Sequence, residues 1–551
     1  MPPQSARSWA AGATETAQPE ELRRRGLSRG VNEPPVVSGH VFIFQGNLAA
    51  LACDAWLLPT DSRLNVVTSW LNDLPDADIK ASIVAECLVP WEETARAKPA
   101  RVPSGKPIPI LVKMGRANAP WGWYLDGVDA FVECAVKLLD NVKPLNGRFC
   151  HLLALPLVGT REGGAQDVKG HIAKGLLPRL QAAAEHHKVD LALVVHDARA
   201  LAATQAARQD SLKAAKKKLS QHQRSALKKL SGRARQGSLA LFMGAGIGQG
   251  AGLPGWNDLL RDLGHKVGLT EKELKSLKEL DHLDRASFLA RRCERDHKDL
   301  RDHVAELIQE RSQHHSLTHG LLASLPVQAM VTQNYDGLME LASRGAKREL
   351  AVLPYEACEE AGKRWLLKMH GCVQHPKDIV LRREDFLRYP TRGALRGIVQ
   401  TLLITQTMLF VGFSLVDPNF HQIADDIRQA VRGSDNQRAS NPFGFALFLQ
   451  PNPVLQELWQ GELELLHMGS RRVKRAEAAR NLDIFLDLLL AESTANTAHL
   501  LDASFDELLT PGEKEVGREL LELQQRLGPE AQATEAWKRV QELLVEFGLK
   551  G

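Results

Sequence analysis

A chain of 551 residues with 44% hydrophobic and 25% charged residues has the makeup of a folded protein of two or three domains, not of a disordered or fibrous one. A net charge of +4 is low for a dedicated nucleic-acid binder, although local patches can hide inside it. The seven cysteines include no C-x-x-C pair, which argues against a zinc knuckle or disulfide framework and fits a reducing, cytoplasmic setting. No membrane span is expected, because the longest apolar run (401–415) is broken by Thr405, Gln406 and Thr407. The N-terminus also lacks the apolar core of a secretion signal.

Residues 1–37, rich in Pro, Ser, Ala, Glu and Arg without periodicity, are predicted to be a disordered lead-in. From His40 the pattern changes. VFIF (41–44), AWLLP (55–59), CHLLALPLVG (150–159) and DLALVVHD (190–197) contain strand-like runs, and IAKGLLPRLQAAAEHH (172–187) has helical spacing. Residues 38–205 are therefore expected to form an α/β domain. Residues 206–237 are a basic helical connector. Its segment 211–237 carries nine Lys or Arg and no acid, with Leu212, Leu219, Leu227 and Leu230 near one helical face. Docking of those leucines on a domain is the expectation, with nucleic acid or a partner protein as the alternative. A second α/β domain covers 238–490. A helical segment of mixed charge, suited to packing or oligomerisation, covers 491–551.

Within 238–490 four apolar runs each stop at a glycine or polar cluster. LALFM (239–243) runs into Gly244, Gly246 and Gly248, followed by a helix that begins after Pro254. Glycines there allow a tight turn whose backbone approaches a ligand closely, and its N–H groups favour a pyrophosphate. VQAMVT ends in Gln333, Asn334 and Asp336; RWLLKM ends in His370 and Gly371; TMLFV ends in Gly412, Ser414 and Asp417. In an open parallel sheet, ligands sit outside the carboxyl ends of the strands. The residue types suit cleavage of an N-glycosidic bond to a cationic leaving group, through an oxocarbenium-like transition state. Asn334 can hold ribose hydroxyls or a water, His370 can act as base near neutral pH, and Asp336 can orient either one.

These motifs, in this order, resemble the sirtuin family: GAGI with a G-x-P turn (244–254), TQNYD (332–336), HG (370–371) and GFSL (412–415). The resemblance implies a Rossmann-like parallel sheet that binds NAD. Ala245, Gly246 and Ile247 would line the dinucleotide, and Asn334 and Asp336 the nicotinamide–ribose pocket. His370 would be the catalytic base, and Gly412 and Ser414 would meet the adenosine half. The four-cysteine zinc module of protein-deacylating sirtuins is missing. Cys372 is the one cysteine between His370 and Gly412, and 375–389 (HPKDIVLRREDFLRY) stands in the module's place.

GLPGW, TQNYDGL, IVLRREDF and FVGFSLVDPNF look more like the sirtuin-like domains of bacterial antiviral defence proteins. That likeness implies NAD hydrolysis to nicotinamide and ADP-ribose without a metal. It also implies a resting off-state, set by the N-terminal domain or by homo-oligomerisation and released by a phage-derived or partner-protein activator. The alternatives are a protein deacylase or ADP-ribosyltransferase, and a non-catalytic nucleotide-binding module of a nucleic-acid-associated assembly.

The N-terminal domain resembles, more weakly, a macro domain, through GNLAALACDAWLLPTDS (46–62) and ALPLVGTREGG (154–164). This smaller macro-like α/β domain would take an ADP-ribose-like nucleotide, with Gly159, Gly163 and Gly164 cradling a diphosphate and Asp54 just ahead of a strand. Pro59-Thr60-Asp61 replaces the asparagines that hydrolytic members use, so catalysis is not implied for it.

Overall fold

The apolar runs become two sheets in a computed structural model. It describes residues 38–549 except 62, 90, 92–94, 116–118, 161–162, 359–361, 390–391, 432–442 and 495–496, so the expected lead-in 1–37 lies outside the described residues. The first sheet contains β1 (Val41–Gln45), β2 (Ala55–Asp61), β3 (Ala97–Pro99), β4 (Ile108–Gly115), β5 (Leu152–Pro156) and β6 (Asp190–Val195), in the order β1-β6-β5-β2-β4-β3. All its pairings are parallel except that of the short edge strand β3 with β4.

The second sheet contains β7 (Leu239–Met243), β8 (Ala329–Thr332), β9 (Leu350–Leu353), β10 (Arg364–Lys368), β11 (Thr407–Val411), β12 (Gly444–Phe448) and β13 (Leu463–His467). Its order is β13-β12-β11-β7-β8-β10-β9, parallel throughout, so the Rossmann-like α/β arrangement is borne out. The four runs with polar ends are the adjacent strands β11, β7, β8 and β10.

Alternation along these strands sorts the side chains. Leu239, Leu241 and Met243 of β7 face the core shared with the first sheet, while Ala240 and Phe242 face an aromatic cluster with Phe410, Phe413, Phe420 and Trp459. The period of two puts successive residues on opposite faces of a sheet buried on both.

From Ser38 onward the chain forms one compact unit, and the Arg475–Ser493 helix holds its two sheets together. Asp487 on that helix is fully buried. Its carboxylate receives two hydrogen bonds from Arg208, at 2.7 and 3.0 Å, and others from the Ile43 N–H and His40 Nε2. Arg480, about two turns earlier, pairs with Asp190 at the start of β6.

The basic connector is two helices, Gln209–Lys217 and Gln221–Arg235, divided at Ser220. Ser220 and Gln223 form a reciprocal capping box, which satisfies N–H groups at the start of the second helix. Leu212, Leu227 and Leu230 are buried, and Leu219 is partly so. Lys216 pairs with Glu492, and Lys229 and His222 pair with Glu464. The segment after Ala491 also packs inward: Phe505 is buried against the Lys169–His187 helix, and Lys174 pairs with Glu507. Among the described residues no helix is long and apolar enough to cross a membrane.

Candidate active site

The glycine turn after β7 is held by backbone. Gly244 N–H donates to Val411 O, and Gly246 N–H donates to Gly412 O at 3.0 Å. Gly412 has φ of +66°, and a Cβ there would lie 2.6 Å from the nitrogen of Ile247. A Cβ on Gly246 would in turn lie 2.8 Å from the Cα of Gly412. The two turns therefore meet main chain to main chain, which only glycine permits at both places. Ala245 to Ala251 then coils as a 3-10 helix, and an α-helix runs from Trp256 to Lys266.

A cleft of about 790 Å³ opens beside these turns and is lined by Gly246, Ile247, Gly412 and Ser414. Its far wall was not legible in the sequence. It comes from the 146–149 loop of the first sheet's domain, from Ser316, and from Arg480 and Asp483 of the Arg475–Ser493 helix. Asn146 donates to Gly250 O at 3.0 Å, joining that loop to the glycine turn. No local pattern marks these residues, because they reach the cleft through contacts between distant parts of the chain.

Gly244, Gln333, Asn334, Asp336 and His370 do not line that cleft. They lie behind the turn at the ends of β7, β8 and β10, and Ala245 is exposed in the turn itself. Asn334 donates from Nδ2 to Gly244 O at 3.2 Å, and its own N–H is received by Thr332 Oγ1. Asn334, Asp336 and His370 are 9%, 6% and 4% exposed. The Nε2 atoms of Gln333 and His370 are buried with no hydrogen-bond partner among the described residues.

His370 Nε2 lies 3.7 Å from Asp417, and Phe386 and Tyr389 stand edge-on to its ring. Burial pushes the imidazole pKa below its ordinary value, while Asp417 pulls it up and Arg392 pulls it down. A neutral imidazole at physiological pH is able to take a proton.

Asp336 sits differently from a partner of His370. Its Oδ1 accepts the N–H of Leu338, capping the Leu338–Gly345 helix, and burial raises its carboxyl pKa against the pull of Lys368. Lys368 is a buried cation whose signal in the sequence is a lysine closing the apolar run RWLLK. It donates to the main-chain oxygen of Asp336 and pairs with Glu340 at 2.8 Å. Among the described residues no three His, Cys, Asp or Glu side chains converge as a metal site.

A second cavity, of about 590 Å³, lies at the carboxyl ends of the first sheet's strands and includes Gly159 and Gly163. Asp54 is not part of it. The Asp54 carboxylate accepts the N–H groups of Leu145 and Leu152 and meets His151, all at the opposite end of β2.

Residues 328–464 match the family described as a SIR2-like domain. The chain is 30% identical over 218 residues to the NAD(+) hydrolase ThsA of Enterococcus faecium, covering 38% of this chain and 44% of that protein. It is 32% identical over 204 residues to the NAD(+) hydrolase ThsA of Bacillus cereus (strain MSX-D12), covering 35% and 40%. Defense-associated sirtuin 2 of Bacillus subtilis is 23% identical over 171 residues, covering 30% of this chain and 16% of the relative. The match thus spans less than half the length of each relative. Among solved structures, the macro domain of ganglioside induced differentiation associated protein 2 covers 29% of this chain and 78% of its own at 14% identity, with a TM-score of 0.22, too low to carry an argument.

Proposed function

We propose that the chain is an NAD glycohydrolase of antiphage defence, cytoplasmic, and held off at rest by its N-terminal domain or by its state of assembly. The observation that carries the reading is the placement of four polar strand ends on four adjacent parallel strands, around turns that bring glycine backbones together. Relatives named NAD(+) hydrolases over the same region supply the substrate.

In this reading the pyrophosphate lies on the turn Gly244, Ala245, Gly246 and Ile247, with Gly412 and Ser414 beside the adenosine half. The nicotinamide ribose reaches Gln333, Asn334 and Asp336. The bond from the ribose anomeric carbon to the nicotinamide nitrogen breaks, and its electron pair leaves with nicotinamide. Water bonds to the same carbon and gives its proton to His370 Nε2, so the products are nicotinamide, ADP-ribose and a proton. The near-complete burial of Asn334, Asp336 and His370 supports a resting state in which the reacting end is covered.

The test is nicotinamide release from NAD by the purified full chain, dilute and concentrated, beside His370→Ala and Asn334→Ala. Release by the wild type alone supports the proposal. Binding of NAD with no release at any concentration favours a sensor, and absence of binding overturns the site.

A further inference from the structure

The cleft beside the glycine turn contains a buried cation that comes from the first sheet's side of the molecule. Arg148 stands on the 146–149 loop, just ahead of β5. Its side chain is only 10% exposed, yet its Nε is buried with no hydrogen-bond partner among the described residues. The one carboxylate within ion-pair distance among the described residues is Asp483, at 3.9 Å, which is beyond hydrogen-bond reach. Asp483 is itself bonded to Thr318 Oγ1 at 2.6 Å, and burial pushes its carboxyl up to about 6 against the pull of Arg148. The pair does not offset what it costs to bury both charges.

Contacts on both sides hold this arginine next to the glycine turn. Asn146, two residues before it, donates to Gly250 O, and a Cβ on Gly252 would lie 3.0 Å from Asn146 Oδ1. Asn146 and Gly147 both have left-handed backbone, with φ of +54° and +68°, so the loop turns sharply just before Arg148. On the other side, Ser316 Oγ donates to Ile247 O at 2.9 Å, and Thr318, two residues on, holds Asp483.

Charge in the cleft selects the ligand group. Residues 244–252 carry no Lys or Arg. Among the described residues that line the cleft, the cations are Arg148, Arg475 and Arg480. Arg480 is spent on Asp190, and Arg475 is exposed at the start of its helix. Arg148 is left as the buried cation with donors to give. Its guanidinium presents a planar fork that matches two phosphate oxygens.

We propose that Arg148 binds the pyrophosphate of the dinucleotide on the glycine turn, so that a residue from the first sheet's side of the chain completes the NAD cleft. Arg148 turns from Asp483 to the phosphate oxygens when the dinucleotide enters. This rests on the reading of the cleft as the NAD site.

Calorimetry with NAD on the full chain tests it, in a His370→Ala background that leaves the substrate intact. ADP and adenosine are the comparison probes, one with a diphosphate and one without. Arg148→Met removes the charge and keeps most of the bulk, but strands Asp483. Arg148→Met/Asp483→Asn strands no charge and keeps the bond to Thr318, so it is expected to fold. Both should weaken NAD and ADP about ten- to a hundred-fold, the scale of lost charge-assisted hydrogen bonds, and leave adenosine unchanged. Arg148→Lys should recover part of the loss, and Asp483→Asn alone, which removes the competing carboxylate, should tighten NAD binding.

Parent-like NAD affinity in both Arg148→Met proteins, or an equal loss for adenosine, would overturn the proposal. So would an Asp483→Asn protein that loses as much NAD affinity as Arg148→Met, since the pair would then be a structural strut. A wild type that binds NAD and releases no nicotinamide would refute the enzymatic reading alone, because the affinities still decide the role of Arg148. A wild type that binds neither NAD nor ADP would refute both.

Discussion

In the proposed reaction His370 takes the proton from water, and its surroundings give it a pH signature. Burial disfavours the imidazolium, so the neutral, proton-accepting form persists below the ordinary histidine pKa. Nicotinamide release is therefore expected to hold as pH falls past about 6.5 and to decline only in more acid solution. Asp417 favours the charged form, so Asp417→Asn should move that acid limb further down the pH scale; a limb that moves up would refute the assignment. His370→Ala should lower the rate about 10²- to 10⁴-fold, the range for a lost general base. Asn334 and His370 were legible because a polar residue ending an apolar strand has few structural reasons to be there. The closeness of Asp417 to His370 was not, since 46 residues of chain, with two α-helices and β11, lie between them and only the sheet order joins them.

At the scale of elements, the paired turns at Gly246 and Gly412 are the most constrained feature of the second sheet. Gly412→Ala would put a methyl group against the nitrogen of Ile247 on a left-handed backbone. That should cost about 1–3 kcal/mol in chemical denaturation. It should also weaken NAD binding, read by calorimetry under conditions where the variant stays folded; unchanged affinity would separate the turn from the ligand.

The glycines were legible because their spacing follows an uninterrupted strand. That the two turns meet was legible only through the assumption of a parallel sheet. In the connector, leucine spacing alone reads as one helix, whereas Ser220 and Gln223 spell out a stop and restart that periodicity overrides. The first sheet was legible in β1, β2, β5 and β6. The edge strand β3, AKP, has too few apolar residues to signal itself and is held in place by β4.

At the scale of the whole molecule, the seam between the sheets is lined by histidines that the fold keeps neutral. His315 exchanges main-chain hydrogen bonds with Ala50 and Ala52, and His319 meets Ser316 Oγ at 2.7 Å. Burial drives His314 and His315 down to about 4 and His319 to about 3. Above about pH 6.5 all three are neutral, folded or unfolded, and the seam is at full strength. As pH falls from there toward 4, the unfolded chain takes up protons that the folded one refuses. Each histidine then removes on the order of 1.4 kcal/mol per pH unit. The melting temperature should fall steeply across that window, and less steeply in His319→Gln measured against its own neutral-pH value. Equal slopes in both proteins would dismiss the seam as the cause.

The clasp at Asp487 makes a second demand on stability. Asp487→Ala strands Arg208 without its carboxylate and is expected to cost about 3–5 kcal/mol, measured by urea titration.

That clasp also sets an order in time. His40 and Asp487 lie 447 residues apart, and Arg480 reaches back 290 residues to Asp190. A contact of that separation closes late, after the entropy of a very long loop has been surrendered. During synthesis the whole first sheet leaves the ribosome before the helix that clamps it exists. The cleft wall formed by Arg480 and Asp483 is likewise missing until the Arg475–Ser493 helix has been made. A chain that stops before this helix thus cannot assemble the complete cleft.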